Sequence, residues 1–464
     1  MDALDWLRAA LGEEAVASGV LSVAEDDLEA ARTDRSGWSA DGRPLAVVNA
    51  TTVAHVQAAA RTASEFRIPL VPRGAGTGLA GGANGTDGAI VLSLAGMNRI
   101  LEISAEDELA VVEPGVVNAD LNRALEPYGL WFAPDPASRA IATVGGNIAT
   151  NAGGLLCAKY GVTREAVLAL DVVLADGRLL RMGHRTVKGV TGYDLTALFV
   201  GSEGTLGVIV GATIRALPLP TGTTTTVGAL FPDVRSAATA AAAITAARLR
   251  PAVMELLDGP SLERIAAYLG EQTIAEAFGP IGGGSSYLLA QFDGRGSGVD
   301  AEAAGVLLGE AGGRVRVSVD AEEGERLLAI RRAFHPALAA TGEVLIEDVS
   351  VPRSRMPEMF AAIERIGERY GIVIPTVAHA GDGNLHPNFV YSGAGVPENV
   401  WEAADEMFRT AIELGGTLTG EHGIGVLKRR WLADEIGPDS YDLQVKLKSV
   451  FDPLGVLNPG KIFG

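Results

Sequence analysis

The stretch PRGAGTGLAGGANG, residues 72–85, constrains the fold more than any other part of the chain. Its spacing Gly76-x-Gly78-x-x-Gly81 fits the dinucleotide fingerprint of a doubly wound α/β sheet. That fingerprint works only where the loop opens directly into a helix whose N-terminus meets a pyrophosphate. Here the loop runs on through TDG into AIVLSL, an apolar run that reads as a strand. The expectation is therefore an anion-binding loop outside a doubly wound fold. Its consecutive small residues let backbone N–H groups converge on phosphate oxygens, and Arg73 adds positive charge.

The loop lies in an alternating region. LAVVNATTVAHVQAAARTASEFRIPLVPRG reads as strand, helix, strand. AIVLSL, ILEISAEDELAVVEPG and VLALDVVLADGRLLRMG read as strands and hairpins. TVGGNIATNAGG supplies a second backbone surface able to approach a flat ring, and VTGYDLTALFVGSEGTLGVI a third element. Together they suggest a large bound dinucleotide. From residue 223 the texture changes to TTTVGALF, SAATAAAAITAARL, AVMELLDG, SLERIAAYLGE, SSYLLAQFDG, VDAEAAGVLLGEAG and RVRVSVD. Strand and helix alternate there, as in a ferredoxin-like layer of helices over a mainly antiparallel sheet.

A chain of 464 residues exceeds one ordinary core, so two or three domains are expected. A net charge of −19 argues against nucleic acid and leaves no polybasic membrane patch. MDALDWLRAALGEE has no positive region before an apolar core, so no signal peptide is read, and the apolar runs are too short and broken for a transmembrane helix. Cys157 is the sole cysteine, which excludes an intrachain disulfide and a Cys-rich zinc or iron–sulfur site. The expected location is the cytoplasm, with a peripheral position at the inner face of the membrane compatible, and Cys157 is expected to be a small buried hydrophobe.

PRGAGTGLAGG, PDPAS, TVGGNIATNAGG, TGYDLTALFVGSEGTLG and the terminal LNPGK, in that order, resemble the FAD-binding proteins of the vanillyl-alcohol oxidase superfamily. The similarity is greatest to its branch of D-lactate dehydrogenases, glycolate oxidase flavoprotein subunits and D-2-hydroxyglutarate dehydrogenases. It runs from about residue 38 to the end. Ahead of it, residues 1–37 read as an N-terminal helical segment of two short amphipathic helices. The resemblance implies an α+β chain with a PCMH-type FAD-binding domain over 38–220 and a ferredoxin-like FAD-linked oxidase C-terminal cap domain over 221–430. Residues 431–464 would return to the FAD domain. By the resemblance, Pro72, Arg73, Gly74, Ala75, Gly76, Thr77 and Gly78 cradle the FAD pyrophosphate, and Pro134, Asp135 and Ser138 line the same groove. Thr143, Gly145, Gly146, Asn147, Thr150, Asn151, Gly153 and Gly154 run beside the ribityl chain and ring. Glu203, Gly204 and Ile209 hold the adenosine end, and Asn458 reaches the flavin from the tail. The loop 72–82 contains no histidine and Cys157 follows the glycine pair 145–146, so FAD is expected without a covalent bond.

HAGDGNLHPN, residues 379–388, places two of the six histidines around an Asp-Gly turn. IVIPTVAH enters and LHPNFVY leaves, a strong hairpin signal. Pairing through Asp382-Gly383 sets His379 opposite His386, with Cβ atoms about 5 Å apart, close enough to share a metal ion. TLTGEHGIG offers Glu421 and His422 as a third ligand, and two histidines with a carboxylate form a typical divalent site with open positions. The metal-dependent members of the family carry the same H-x6-H followed by GEH, which implies His379, His386 and Glu421 as ligands. Zinc is the first expectation, and manganese or ferrous iron fits the same donors. Asp382 is better placed for the turn.

These parts suit oxidation of a small 2-hydroxy acid to the 2-oxo acid. The metal would lower the hydroxyl pKa, His422 would accept its proton, and the Cα hydrogen would leave as hydride to the flavin. Arg331, fifteen residues before Ile346, matches the family arginine that grips the substrate carboxylate, and Asn388 matches a substrate-side position. Ile346 stands where D-2-hydroxyglutarate dehydrogenases carry a lysine, which points to monocarboxylates such as D-lactate, D-2-hydroxybutyrate or glycolate. His335 lies near this surface, as a pocket residue or a plain helix-face one. Two alternatives stay open: an FAD oxidase of another alcohol, and an electron-relay flavoprotein subunit of a glycolate oxidase-type complex. The acceptor is left open among oxygen, quinone, cytochrome, electron-transferring flavoprotein and a separate iron–sulfur subunit, and a homodimer is compatible.

Overall fold

Three short apolar runs, AVVN, LVPR and IVLS, build the first sheet of the computed structural model, which describes residues 2–393 and 395–464. The order is Leu21–Ser22, Ala46–Asn49, Ile90–Ser93, Leu70–Arg73, with the last three strands parallel. The helix Val53–Phe66 makes the crossover; the Thr52 hydroxyl caps its start, and Arg67 ends it in the left-handed region. Val48, Val56, Ala59, Ala63, Leu70, Ile90 and Leu92 are fully buried between helix and sheet. Parallel pairing sets Arg73 beside Ser93, so the glycine loop leaves at one end of this sheet. Residues 74–89 contain no helix and lead straight into Ile90–Ser93, as the sequence implies.

A second, antiparallel sheet follows in the order Ile100–Ser104, Leu109–Val112, Val208–Arg215, Val167–Val173, Leu179–Gly183. Its core holds Val112, Leu121, Val144, Ile148, Val172, Phe199 and Ile214, all fully buried. Both sheets belong to one compact unit made of Met1–Gly154, Gly161–Leu219 and Glu421–Gly464. The tail is fastened by Asp452, which accepts from the Val456 and Leu457 N–H groups at 3.0 and 2.8 Å and from Lys448 Nζ at 2.8 Å. Leu457 then lies alongside Leu70 as a short parallel bridge.

The other compact unit comprises Leu155–Tyr160 and Pro220–Gly420. Its antiparallel sheet has the order Arg314–Ser318, Thr225–Phe231, Ser286–Phe292, Val253–Leu257, Thr376–His379, Asn384–Tyr391, Glu343–Ile346, and Val349–Ser350 also pairs with Asn384–Tyr391. On one face Leu230, Leu257, Tyr287 and Leu289 meet Leu262, Ile265, Phe278, Leu327 and Phe334 from four helices over Gly259–Ala339. The alternate side chains Ala229, Met254, Leu256, Leu288 and Ala290 are also buried. The helix Ser297–Glu310 packs on that side: a Cβ on Gly305 would lie 3.0 Å from Val317, the partner of Val227. The central strands therefore carry helices on both faces, one layer more than the alternation alone implies. Their near-continuous apolar runs are the physical reason, since a strand exposed on one face would alternate with polar residues.

Leu289→Ala removes a fully buried side chain from the core of this unit and should cost about 2–5 kcal/mol. Val299→Ala, at a position 71% exposed, should stay within about 0.5 kcal/mol. Chemical denaturation followed by circular dichroism checks both, and equal small losses would contradict the burial of the sheet face that carries Leu289.

Candidate active site

The two histidines arrive by a register different from the expected one. His379 pairs with Asn384, and His386 with Val377, so His379 and His386 are not directly opposed. The loop spans Ala380–Gly383, because the Asp382 and Gly383 N–H groups both close on the His379 carbonyl, at 3.2 and 3.0 Å. Gly383 takes the left-handed conformation the turn needs, at φ +92°. The Asp382 carboxylate accepts from the Asn384 N–H at 3.1 Å, the turn role expected of it. The shift is two residues, and side chains alternate with period two, so both histidines keep one face. Their ring centroids are 4.9 Å apart at 80°, and each residue is buried.

Glu255, which sequence reasoning missed, lies directly across from His379 on the strand Val253–Leu257. One carboxylate oxygen is 2.6 Å from His379 Nδ1, and the other accepts from Arg331 Nε at 2.6 Å. The residue is 1% exposed. Burial pushes its carboxyl up, but the charges of His379 and Arg331 outweigh that and hold it below the usual carboxylate range. The signal was a single acidic residue in the otherwise apolar AVMELL. Arg331, at the end of the helix Ala321–Arg332, is buried, whereas Arg332 is exposed and paired with Glu325. With Nε held by Glu255, the Nη edge of Arg331 points elsewhere without a hydrogen bond among the described residues.

Asn384, His386 and Asn388 line one face of the strand Asn384–Tyr391. Asn388 is fully buried; its Nδ2 donates to the His386 carbonyl at 2.7 Å, and its Oδ1 has no hydrogen-bond partner among the described residues. Ile346 sits directly opposite Asn388. His335 is exposed and edge-on to Phe334. The segment Thr417–Gly420 is fixed by Asp348, a fully buried carboxylate that accepts from Thr419 Oγ1 at 2.8 Å and from the Gly420 N–H at 2.7 Å. A Cβ on Gly420 would fall 2.5 Å from Asn384 Cγ, so only glycine allows this approach. Glu421 is the next residue. One ligand atom each of His379, His386 and Glu421 lies within 4.8 Å of the others. His422 follows, partly buried.

In the glycine-rich unit the distant motifs also converge. A Cβ on Gly74 would lie 2.5 Å from Thr143 Oγ1, and one on Gly154 2.5 Å from Asp135 Oδ1. TVGGNIATNAGG holds the helix Val144–Thr150, capped by the Thr143 hydroxyl on the Gly146 N–H at 3.2 Å. Gly145 is required because a Cβ would meet Pro114 at 2.5 Å. Thr150 Oγ1 donates to the Gly146 carbonyl, Asn151 takes φ +51° as the helix ends, and Gly153 is buried. Asn118 Nδ2 holds the Pro134 carbonyl at 2.8 Å, and the Ser138 carbonyl closes the following turn. Pro72 packs where a Cβ on Gly204 would lie, while Ala75 is exposed and Thr77 and Gly78 are partly buried.

Several candidates are turned toward the protein itself. Arg73 donates to the carbonyls of Ala83 and Thr33 at 3.0 and 2.9 Å, so its guanidinium braces the loop it was expected to charge. Glu203 accepts from the Ile424 and Gly425 N–H groups at 2.7 and 2.9 Å, and Ile209 is a core residue. Asn458 Nδ2 donates to the carbonyls of Glu203 and Gly82 at 2.7 and 2.9 Å. Behind them lies a buried group that sequence reasoning missed: Asp34, Asn84 and Lys461, with Lys461 Nζ on the Asn84 carbonyl at 3.3 Å and 5.2 Å from the Trp38 ring. Burial pulls Lys461 down to about 8. Its only sequence signal was the final Lys of LNPGK. Cys157 lies in the short helix Cys157–Tyr160 of the other unit and is partly rather than fully buried.

Buried Asn147 Nδ2, Asn84 Oδ1, Asn458 Oδ1 and Asp34 Oδ2 have no hydrogen-bond partner among the described residues. Orphaned polar atoms beside glycine-lined backbone suit a large polar cofactor. Burial also pushes the Glu203 carboxyl up to about 7. A raised folded-state pKa makes its contribution to stability full below the ordinary carboxylate pKa and smaller as pH rises through about 7. Glu203→Gln does not titrate, so its melting temperature should approach the wild-type value more closely at pH 8 than at pH 5. The opposite trend in thermal melts would show that the two N–H bonds outweigh burial.

Comparison with known proteins agrees with this architecture. Residues 44–183 match the FAD binding domain family, and residues 222–462 match the C-terminal domain of FAD linked oxidases. The chain is 43% identical over 409 residues to the glycolate oxidase subunit GlcD of Bacillus subtilis (strain 168), covering 86% of this chain and 85% of the relative. It is 36% identical over 419 residues to a D-lactate dehydrogenase of Archaeoglobus fulgidus, covering 90% of each. The fold is shared with p-cresol methylhydroxylase in its substrate-bound crystal structure, at a TM-score of 0.77 and 20% identity over 99% of this chain and 96% of that one. FAD is the cofactor of this architecture, and the chain belongs to the FAD-linked oxidases, as an FAD-dependent oxidoreductase.

Proposed function

We propose that the protein oxidises a small D-2-hydroxy monocarboxylate, or glycolate, to the 2-oxo acid, with a divalent ion held by His379, His386 and Glu421. The observation that carries this reading is the approach of those three ligand atoms to within 4.8 Å beside a buried arginine. Zinc is the first choice, and manganese or ferrous iron suits the same donors. The relatives' names, a glycolate oxidase subunit and a D-lactate dehydrogenase, support the substrate class. FAD, when bound, would supply the acceptor for one hydride, which carries both electrons of the oxidation. A bound divalent ion supplies Lewis acidity that lowers the pKa of the substrate hydroxyl.

The chain's own groups divide the remaining work. Arg331 offers its Nη edge to the substrate carboxylate, a bidentate pairing suited to a guanidinium. His422 takes the hydroxyl proton. Asn388, with a buried oxygen to satisfy, orients the substrate from the histidine row. Ile346 opposite Asn388 gives an apolar neighbour where a second substrate carboxylate would need a cation, which favours a monocarboxylate. FAD lies against the loop Pro72–Gly78, the segment Thr143–Gly154 and the groove of Pro134, Asp135 and Ser138, without a covalent bond. Arg73, Glu203 and Asn458 support that surface from behind.

No described helix is long and apolar enough to cross a membrane. A cytoplasmic enzyme fits this, handing electrons to a quinone, a cytochrome, an electron-transferring flavoprotein or an iron–sulfur subunit. The word "subunit" in the first relative's name favours a second reading, an electron-relay flavoprotein within a complex.

Anaerobic mixing with D-lactate, L-lactate, glycolate and D-2-hydroxyglutarate tests the proposal through bleaching of the flavin absorbance, with and without a chelator. A D-monocarboxylate or glycolate should bleach fast, lose that on chelation and regain it with zinc or manganese. His386→Ala should retain FAD and lose bleaching. Bleaching indifferent to the chelator would remove the metal, and no bleaching by any of the four would leave an FAD oxidase of another alcohol or the electron-relay reading.

A further inference from the structure

Glu255 joins two functional groups that come from different elements. It stands on the strand Val253–Leu257, His379 on the adjacent strand Thr376–His379, and Arg331 at the end of the helix Ala321–Arg332. Both carboxylate oxygens are used, each at 2.6 Å, and the residue is 1% exposed. An acceptor at Nδ1 selects the tautomer in which Nδ1 carries hydrogen and Nε2 presents its lone pair. A carboxylate behind a ligating imidazole also raises its basicity and fixes the ring. The same carboxylate holds Arg331 by Nε, which sets the plane of the guanidinium and turns its Nη edge away.

We propose that Glu255 is a positioning residue that aligns His379 for the metal and Arg331 for the substrate carboxylate at once. This rests on the metal reading above. Glutamine cannot replace it, since an amide has one acceptor oxygen and must present N–H donors to either His379 or Arg331. Aspartate keeps the charge but is one methylene too short to reach both partners at 2.6 Å.

The test uses the FAD-loaded full chain and zinc alone, titrated against a chromophoric competitor chelator. Glu255→Gln should bind zinc about 10- to 100-fold more weakly than wild type, with flavin content unchanged and KM for the hydroxy acid raised. Glu255→Asp, expected to recover part of the zinc affinity, serves as the second variant should the glutamine fail to fold. A folded Glu255→Gln or Glu255→Asp protein that binds zinc as tightly as wild type overturns the inference, even with a lowered melting temperature, because that pattern belongs to a merely structural carboxylate. Wild type that binds no zinc, manganese or ferrous iron overturns the metal reading, and this inference falls with it.

Discussion

A carboxylate in the dry middle of a sheet is the constraint around which the site-bearing unit is organised. Taking an ion out of water costs several kcal/mol or more, and only well-placed partners offset it. Glu255 therefore needs His379 and Arg331 where they are, and each of them needs Glu255. Removing any one would leave an uncompensated polar group on the sheet face that also carries Leu257 and Leu289, both fully buried. Asp348 does the same for a different stretch of chain, holding Thr419 and Gly420 just before Glu421. Two buried acids thus set the path of the backbone on either side of the ligands.

The glycine-rich unit meets the opposite difficulty. Its motifs lack the side chains that ordinarily satisfy or cover a buried backbone, so other residues do this. Arg73 holds the carbonyls of Ala83 and Thr33, Glu203 holds two N–H groups, and Asn458 ties the Gly82 and Glu203 carbonyls together. Polar residues that the family resemblance assigns to the cofactor turn out to stiffen the surface from behind. The bare glycine backbone and the unsatisfied Nδ2 of Asn147 are left without such a side-chain partner among the described residues. Preorganisation of this kind lowers the entropy lost on binding.

Local patterns were read where they were strong. The strand–helix–strand run over 44–73 and the alternation over 225–318 carry periodicities that short-range physics sets. The hairpin HAGDGNLHPN was also legible, but its register was not. The Asp-Gly signal pointed to His379 opposite His386, whereas the hydrogen bonds from the Asp382 and Gly383 N–H groups to the His379 carbonyl close the loop Ala380–Gly383 and set His379 opposite Asn384. The period-two rule protected the conclusion that both histidines share a face. The helix within TVGGNIATNAGG was not legible, because glycine is a poor helix former; it forms since Thr143 caps it and Val144 and Ile148 are buried.

The amino-acid sequence by itself determined which chemistry was available: a glycine loop running into a strand, two histidines on one hairpin, a Glu-His pair between glycines, and an arginine ahead of an apolar strand. Those are local or motif-borne properties, and a chain carries them wherever it goes. Tertiary structure alone decided what each group does. Glu255 is 76 residues from Arg331 and 124 from His379, and nothing in AVMELL states that both would close on it. Sheet order brought them together, because pairing between Val253–Leu257 and Thr376–His379 sets Glu255 against His379, and burial then made a shared carboxylate the stable way to hold three polar groups away from water.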